Sequence, residues 1–187
     1  MERPGTHRQE SAEETSQRYL GNLGLTWDEL RGKKVLDIGA STGEFEHIAR
    51  KHGVDVISLD KQTSDRYMPP KDSTFVVANA LALPFADETF DYCVAHDSMH
   101  YHDADEIEPV FREASRVLKQ GGRYHFNGTV LDENEGVKDV VNEHKLLEEM
   151  SRNAGFSKLQ LKDYEGSMRP RVDVGDSHYE HYYIAFK

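Results

Sequence analysis

The stretch Val35-Leu36-Asp37-Ile38-Gly39-Ala40-Ser41-Thr42-Gly43-Glu44-Phe45 limits the possible folds more than any other part of the chain. A short apolar strand runs straight into a glycine turn, and the turn runs into a helix. In that helix Phe45, Ile48 and Ala49 share one face and Gly53 supplies the stop. Gly39 permits the tight turn, and Gly43 lets the helix approach the strand closely. The start of the helix presents N–H groups to a polar ligand. Such a unit buries its strand on both faces and needs parallel neighbours on each side.

The rest of the chain supplies those neighbours. Apolar runs predict further strands over 54–59, 74–78, 90–95 and 123–130, with a last pair over 156–164 and 182–186. Helical period predicts one helix over 105–119, with Ile107, Phe111, Ala114, Val117 and Leu118 inward, and another over 143–153. Pro109 fits only a first turn, so the regular part of the former is expected from Glu108, with Gly121-Gly122 ending it. Residues 61–72 carry Pro69-Pro70 and predict a turn or broken helix, while 79–89 and 165–180 read as loops. Early strands separated by crossovers make a mostly parallel α/β sheet, and the last two strands can pair antiparallel at one edge.

The chain has 187 residues, enough for one domain with an ordinary core. Residues 1–16 are nearly all polar and read as a mobile tail, leaving 17–187 as the domain. Thr26 and Glu29 have the spacing of a capping box, so one or two short helices are expected before residue 31. With 23 basic against 34 acidic residues, the net charge of -11 argues against nucleic acid and against an acidic membrane surface as partners. The single Cys93 excludes an intrachain disulfide and thiolate-rich metal sites, and reads as a small core residue. No apolar segment has membrane or signal length, so a cytoplasmic protein is expected. Monomer and homodimer both stay open.

Asp60 closes the second strand about 20 residues after Gly39, the spacing of a carboxylate that receives two ribose hydroxyls. Phosphate fits poorly. Ser41 occupies the middle position of the glycine pattern, Glu44 puts a negative charge at the start of the helix, and no P-loop Gly-Lys-Ser/Thr exists. These features oppose a dinucleotide oxidoreductase. They suit a sulfonium cation carrying an amino acid and an adenosine, with Asp37 and the turn at the ammonium and Asp60 at the ribose.

VLDIGASTGEF, VISLD, NALALPFADETFDYCVAHDSMHY and FREASRVLKQGG together resemble the class I methyltransferases that use S-adenosylmethionine, in particular the UbiE/methyltransferase type 11 group. The LPF…FD and RVLK-x-GG blocks are specific as a pair. The resemblance implies a Rossmann-like fold whose seven strands run in the order 3-2-1-4-5-7-6, the last one antiparallel. It also implies S-adenosylmethionine as cofactor and S-adenosylhomocysteine as product. Gly39, Ala40, Ser41 and Gly43 would line the methionine part, with Asp37 near its ammonium and Tyr19 covering that end. Asp60 would hold the ribose, with Lys61 beside adenine. Asn79, the Ala80 N–H and Leu81 would meet the adenine, and His96 would approach the cofactor from the fourth strand. Ser41, the weak 61–72 crossover and Gln120 depart from the family pattern.

Methyl transfer mainly requires holding acceptor and methyl in line and excluding water. A base is needed only where the acceptor loses a proton. His96, Asp97, His100, His102 and Asp103 cluster after the fourth strand, where open sheets bind ligands. His100 is the candidate base or orienter, with Asp97 orienting it or binding a cationic substrate; pocket lining is the plainer role for both. A divalent metal held by this cluster, or by Asp173, Asp176, His178 and His181, fits no closed spacing, so no metal is assigned. Tyr179, Tyr182 and Tyr183 serve either the edge strand or a substrate wall. The acceptor is expected to be a small molecule, its pocket built by the N-terminal segment, 97–104, 131–142 and 165–180. The rivals are a non-catalytic module binding S-adenosylmethionine or S-adenosylhomocysteine, a dinucleotide oxidoreductase and an aminopropyl transferase.

Overall fold

A computed structural model describes residues 12–62, 73–127, 140–163 and 181–187. The elements are α1 (Ala12–Asn22), α2 (Trp27–Leu30), β1 (Lys34–Ile38), α3 (Glu44–Lys51), β2 (Asp55–Asp60), β3 (Val76–Val77) and β4 (Phe90–Ala95). There follow a 3-10 turn (Met99–Tyr101), α4 (Ala104–Val117), β5 (Leu118–Phe126), α5 (Val140–Asn153), β6 (Lys158–Asp163) and β7 (His181–Phe186).

The strands form one seven-stranded sheet in the order β3-β2-β1-β4-β5-β7-β6. β1 lies in parallel register between β2 and β4, with Val35 opposite both Val56 and Tyr92. β4 pairs parallel with β5, while β7 pairs antiparallel with both β5 and β6. This is the expected Rossmann-like methyltransferase topology, and it follows from the sequence: crossovers separate the early strands, whereas β7 enters late between β5 and β6.

Alternate residues of β1 feed opposite layers. Val35 packs with Leu20, Leu23 and Leu30 of the N-terminal helices and with Phe45 and Ile48 of α3. Leu36 joins the other layer, with Ile107, Phe111 and Ala114 of α4 and Leu147 of α5. Cys93 is fully buried there, and burial pushes its thiol well above the ordinary range.

Several boundaries differ from the expectations. α1 opens at Ala12, inside the stretch read as tail, because Ser16 is buried and Glu13 bonds His52 at 2.9 Å. α4 begins at Ala104 rather than Glu108. Asp103 and Glu106 form a capping box that starts the helix, and Pro109 forgoes only the bond to the Asp105 carbonyl. Gly121-Gly122 do not end α4; they lie within β5. They form a bulge in which the register jumps from Phe90 opposite Leu118 to Tyr92 opposite Arg123. A Cβ on Gly122 would stand 2.8 Å from the Lys119 carbonyl oxygen. The expected capping box of Thr26 and Glu29 is present. The Pro-Pro crossover, the whole 165–180 loop with Asp173, Asp176, His178 and Tyr179, the end of the strand expected over 123–130, residues 131–139 of the expected pocket segment 131–142, and residues 1–11 lie outside the described residues. Among the described residues no helix is long and apolar enough to cross a membrane.

Candidate functional site

The turn after β1 is fixed from three sides. Gly39 takes φ +79°, and a Cβ there would lie 2.3 Å from the Ser98 Cβ, so only glycine admits the chain behind it. Ser98 in turn donates its hydroxyl to the Ile38 carbonyl at 2.9 Å, tying the loop after β4 to the end of β1. The Gly39 and Ala40 N–H groups both donate to the Leu59 carbonyl, at 2.8 and 3.0 Å. The Gly43 N–H donates to the Ala40 carbonyl at 2.9 Å. Ser41 has a left-handed backbone (φ +50°), and its N–H donates to Asp60 Oδ2 at 3.0 Å. The turn therefore spends these N–H groups inside the protein.

A cavity of about 630 Å³ opens beside this turn, across the carboxyl ends of β1, β2 and β4. Ile38, Leu59, Ala78 and Ala80 give it an apolar body, and Asp60, Gln62 and Asn79 give it polar edges. Asp60 Oδ1 accepts the Gln62 N–H at 3.0 Å, so both carboxylate oxygens are aimed by backbone donors and keep further acceptor capacity. Asn79 Oδ1 accepts the Leu81 N–H at 3.0 Å, which orients its amide at the rim.

The cavity gathers Gly39, Ser41, Asp60, Lys61, Asn79, Ala80, His96 and Asp97 from the residues the sequence singled out. It does not bring in Tyr19, Asp37, Ala40, Gly43, Leu81 or His100. Leu81 packs against the core. Gly43 is the left-handed N-cap of α3, and a Cβ there would meet Phe75 at 3.3 Å. His100 lies in the 3-10 turn with its ring 4.0 Å from that of Tyr101. Of the other residues in that cluster, Asp103 caps α4, and His102 approaches Glu106 at 3.3 Å while lining the cavity.

Asp37 and Tyr19 stand just behind the wall. The Tyr19 hydroxyl donates to Asp37 Oδ1, and its ring stacks on Phe45 at 4.3 Å and on the cavity residue His96 at 4.5 Å. Asp37 Oδ2 is buried with no hydrogen-bond partner among the described residues. Burial pushes the Asp37 carboxyl up to about 7; the Tyr19 hydrogen bond opposes this, and the Asp60 and Glu46 carboxylates add to it. An orphaned buried carboxylate behind a turn whose own N–H groups are spent internally fits a cationic amino-acid group, and the Asp60 edge fits vicinal hydroxyls.

Sequence reasoning missed Gln62, Ser98 and Tyr101 in the lining, and Asn22 and Asn127 behind it. Asn22 Nδ2 donates to His96 Nε2 at 3.0 Å, and Asn127 bonds Asp97 twice. No sequence signal marked Asn127, which fell inside the strand expected over 123–130; β5 instead runs from Leu118 to Phe126 and leaves Asn127 just past its end. Of the tyrosines read as either strand packing or a substrate wall, Tyr183 is buried and stacks on Phe126 at 5.1 Å, and the Tyr182 ring fills the space beside Gly24. Among the described residues no group of three or more acidic, histidine or cysteine side chains converges as a metal site.

The fold and this cavity define a class of protein that known proteins share. A family model described as "Methyltransferase domain" matches residues 36–126. The chain is 27% identical to the O-methyltransferase resE of Aspergillus sclerotiorum, over 87% of this chain and 69% of that protein. It is 33% identical to the ubiquinone/menaquinone biosynthesis C-methyltransferase UbiE of Cereibacter sphaeroides, over 49% of this chain and 40% of that one. A SAM-dependent methyltransferase from Archaeoglobus fulgidus superposes with a TM-score of 0.64, at 15% identity over 95% of each chain, and so shares the fold. The chain spans 39% to 69% of the length of the curated relatives it matches. Over residues 36–126 the chain is therefore similar to a methyltransferase domain, and it resembles both an O- and a C-methyltransferase in sequence and an S-adenosylmethionine-dependent methyltransferase in fold.

Proposed function

We propose that the protein transfers a methyl group from S-adenosylmethionine to a small-molecule acceptor. The observation that carries this reading is the Asp60 carboxylate, aimed by the Ser41 and Gln62 N–H groups at the edge of the cavity. Asp60 would hold the ribose hydroxyls, with Asn79 and Ala80 at the adenine and Lys61 beside it. Asp37 would face the ammonium, with Gly39, Ala40, Ser41 and Gly43 shaping the turn and Tyr19 and His96 closing that end. When bound, the cofactor supplies a methyl group already activated on a sulfonium. The chain's own task is then to align the acceptor and keep water out. Asp97, and His100 after a rotation of its turn, are the side chains to orient an acceptor or take its proton.

The internally bonded turn also counts against a dinucleotide, whose pyrophosphate needs the N–H groups that Leu59 and Asp60 already occupy. The two relatives named above are an O- and a C-methyltransferase, so they share methyl transfer and differ in the acceptor atom. Calorimetry with S-adenosylhomocysteine tests the assignment. Wild type is expected to bind, and Asp60→Ala to bind at least tenfold more weakly, since a charge-assisted hydrogen bond is lost. Absence of binding to wild type sinks the function, and equal binding to both sinks the role of Asp60. Methyl transfer to a panel of small hydroxyl, amine and activated-carbon acceptors then separates an enzyme from a non-catalytic binding module.

A further inference from the structure

β4 and β5 run parallel, with Ala95 opposite Phe126, and both leave the sheet toward the cavity. Just past them stand Asp97 and Asn127. Asp97 has φ +49°, a left-handed backbone that costs a residue with a Cβ about 1 kcal/mol or more. Two bonds from one amide hold it there. The Asp97 N–H donates to Asn127 Oδ1 at 2.8 Å, and Asn127 Nδ2 donates to Asp97 Oδ1 at 3.0 Å. Asn127 is fully buried, and its own N–H donates to the Ala95 carbonyl at 3.2 Å. Only a carboxamide matches this pattern, since it offers an acceptor to the N–H and a donor to the carboxylate.

The other oxygen of Asp97 continues the chain of contacts. Asp97 Oδ2 lies 3.4 Å from His96 Nδ1. Asn22 Nδ2 stands 3.0 Å from His96 Nε2, and it is the two contacts together, the Asp97 carboxylate at Nδ1 and the amide donor at Nε2, that favour the ring proton on Nδ1. A polar run therefore crosses from the end of β5 to α1 along the cavity wall, through Asn127, Asp97, His96 and Asn22. Asp97 and His96 line the cavity, whereas Asn127 stands behind them.

We propose that Asn127 is a positioning residue: its carboxamide clamps Asp97 in the left-handed turn and, through the Asp97 carboxylate, fixes the tautomer and orientation of His96 on the cavity wall. The functional part rests on the reading of that cavity as the cofactor site. Two readouts test it on the full chain: S-adenosylhomocysteine affinity by calorimetry, and the imidazole nitrogen shifts of ¹⁵N-histidine-labelled protein, with His96 assigned through His96→Gln.

In wild type, His96 is expected to show a protonated Nδ1 and a bare Nε2. Asn127→Asp, which sets carboxylate against carboxylate, is expected to scramble that pattern and weaken binding at least tenfold. Asn127→Ala is expected to act in the same direction. Asp97→Gly relieves the left-handed backbone and leaves Asn127 intact, so it tests the clamp even where a buried Asn127 variant fails to fold. It is expected to give the same altered His96 pattern, and adding Asn127→Ala to it is expected to cost no further affinity. An unchanged His96 pattern in Asp97→Gly overturns the proposal. So does a folded Asn127→Ala that binds like wild type, or a double variant whose losses multiply. If wild type itself does not bind, the cofactor reading fails, and the nitrogen shifts still decide the clamp.

Discussion

At Asp37 one carboxylate is asked to satisfy two demands. Its burial at the end of β1 raises its carboxyl to about 7, and Oδ2 has no partner among the described residues. An unfolded aspartate titrates near 4. Between those values the folded chain holds a proton that the unfolded chain has released, so this residue's contribution to stability falls as pH rises from about 4 to about 7. Above that it is flat. Asp37→Asn keeps an oxygen for the Tyr19 hydroxyl and removes the charge. It is expected to stabilise the protein more at pH 8 than at pH 5, by about 2 kcal/mol, which is roughly 5 °C in melting temperature. The same variant is expected to bind S-adenosylhomocysteine more weakly. Melting curves at the two pH values and one calorimetric titration check both halves. A variant no more stable than wild type at pH 8 shows that the carboxylate is solvated rather than orphaned.

Among the elements, the long loop between β3 and β4 has little regular structure of its own, yet it carries Asn79 and Ala80. Arg116 of α4 holds it in place. Its guanidinium donates to the Leu83 and Phe85 carbonyls at 2.9 and 2.7 Å and to Asp87 Oδ1 at 2.8 Å. It also forks onto Glu113, whose Oε2 accepts the Leu83 N–H at 2.7 Å. The LPF…FD block and the RVLK block of the sequence are thus the two halves of one clasp, which explains why they are informative as a pair. A single ammonium group cannot span these acceptors, so Arg116→Lys is expected to cost about 1–2 kcal/mol in urea unfolding and to loosen the adenine side of the cavity. An unchanged urea midpoint would show that the clasp is a surface network of little weight.

Strands and helices with a clean period were legible from the sequence: 90–95 coincides with β4, and the helix expected between Gly43 and Gly53 is α3. The start of α1 was not, because its early turns are polar and are held by tertiary contacts of Ser16 and Glu13. Gly121-Gly122 misled because a bulge and a helix stop use the same residue. Of the site, the acid at the end of β2 was readable from spacing. The clamp from Asn127 was not, since it depends on two strand ends meeting across the sheet.

At the scale of the whole molecule, the N-terminal layer is fastened to the sheet by a histidine. His125 of β5 is buried, and its Nδ1–H donates at 2.8 Å to the carbonyl of Leu23, at the end of α1. That helix brings Tyr19 and Asn22 against His96 and Asp37, so the fastening also supports the back of the cavity wall. Burial depresses the imidazole to about 4, the hydrogen bond to Leu23 only partly offsetting it. An unfolded histidine titrates near 6.5. Between these values the unfolded chain binds the extra proton. The contribution of His125 is therefore complete above about 6.5 and is lost as pH falls toward 4, by about 1.4 kcal/mol per pH unit at the steepest. Asp37 has the opposite slope over much of the same range, so the wild-type profile alone hides both. The difference between wild type and His125→Gln, whose amide can still donate to Leu23 without titrating, isolates the histidine. Urea unfolding at pH 7 and pH 5 is expected to show wild type losing about 1–2 kcal/mol relative to the variant. Exchange of the α1 amides is expected to rise first, because the layer that depends on His125 opens before the sheet does. Parallel pH profiles for the two proteins would mean that the ring is not the fastening.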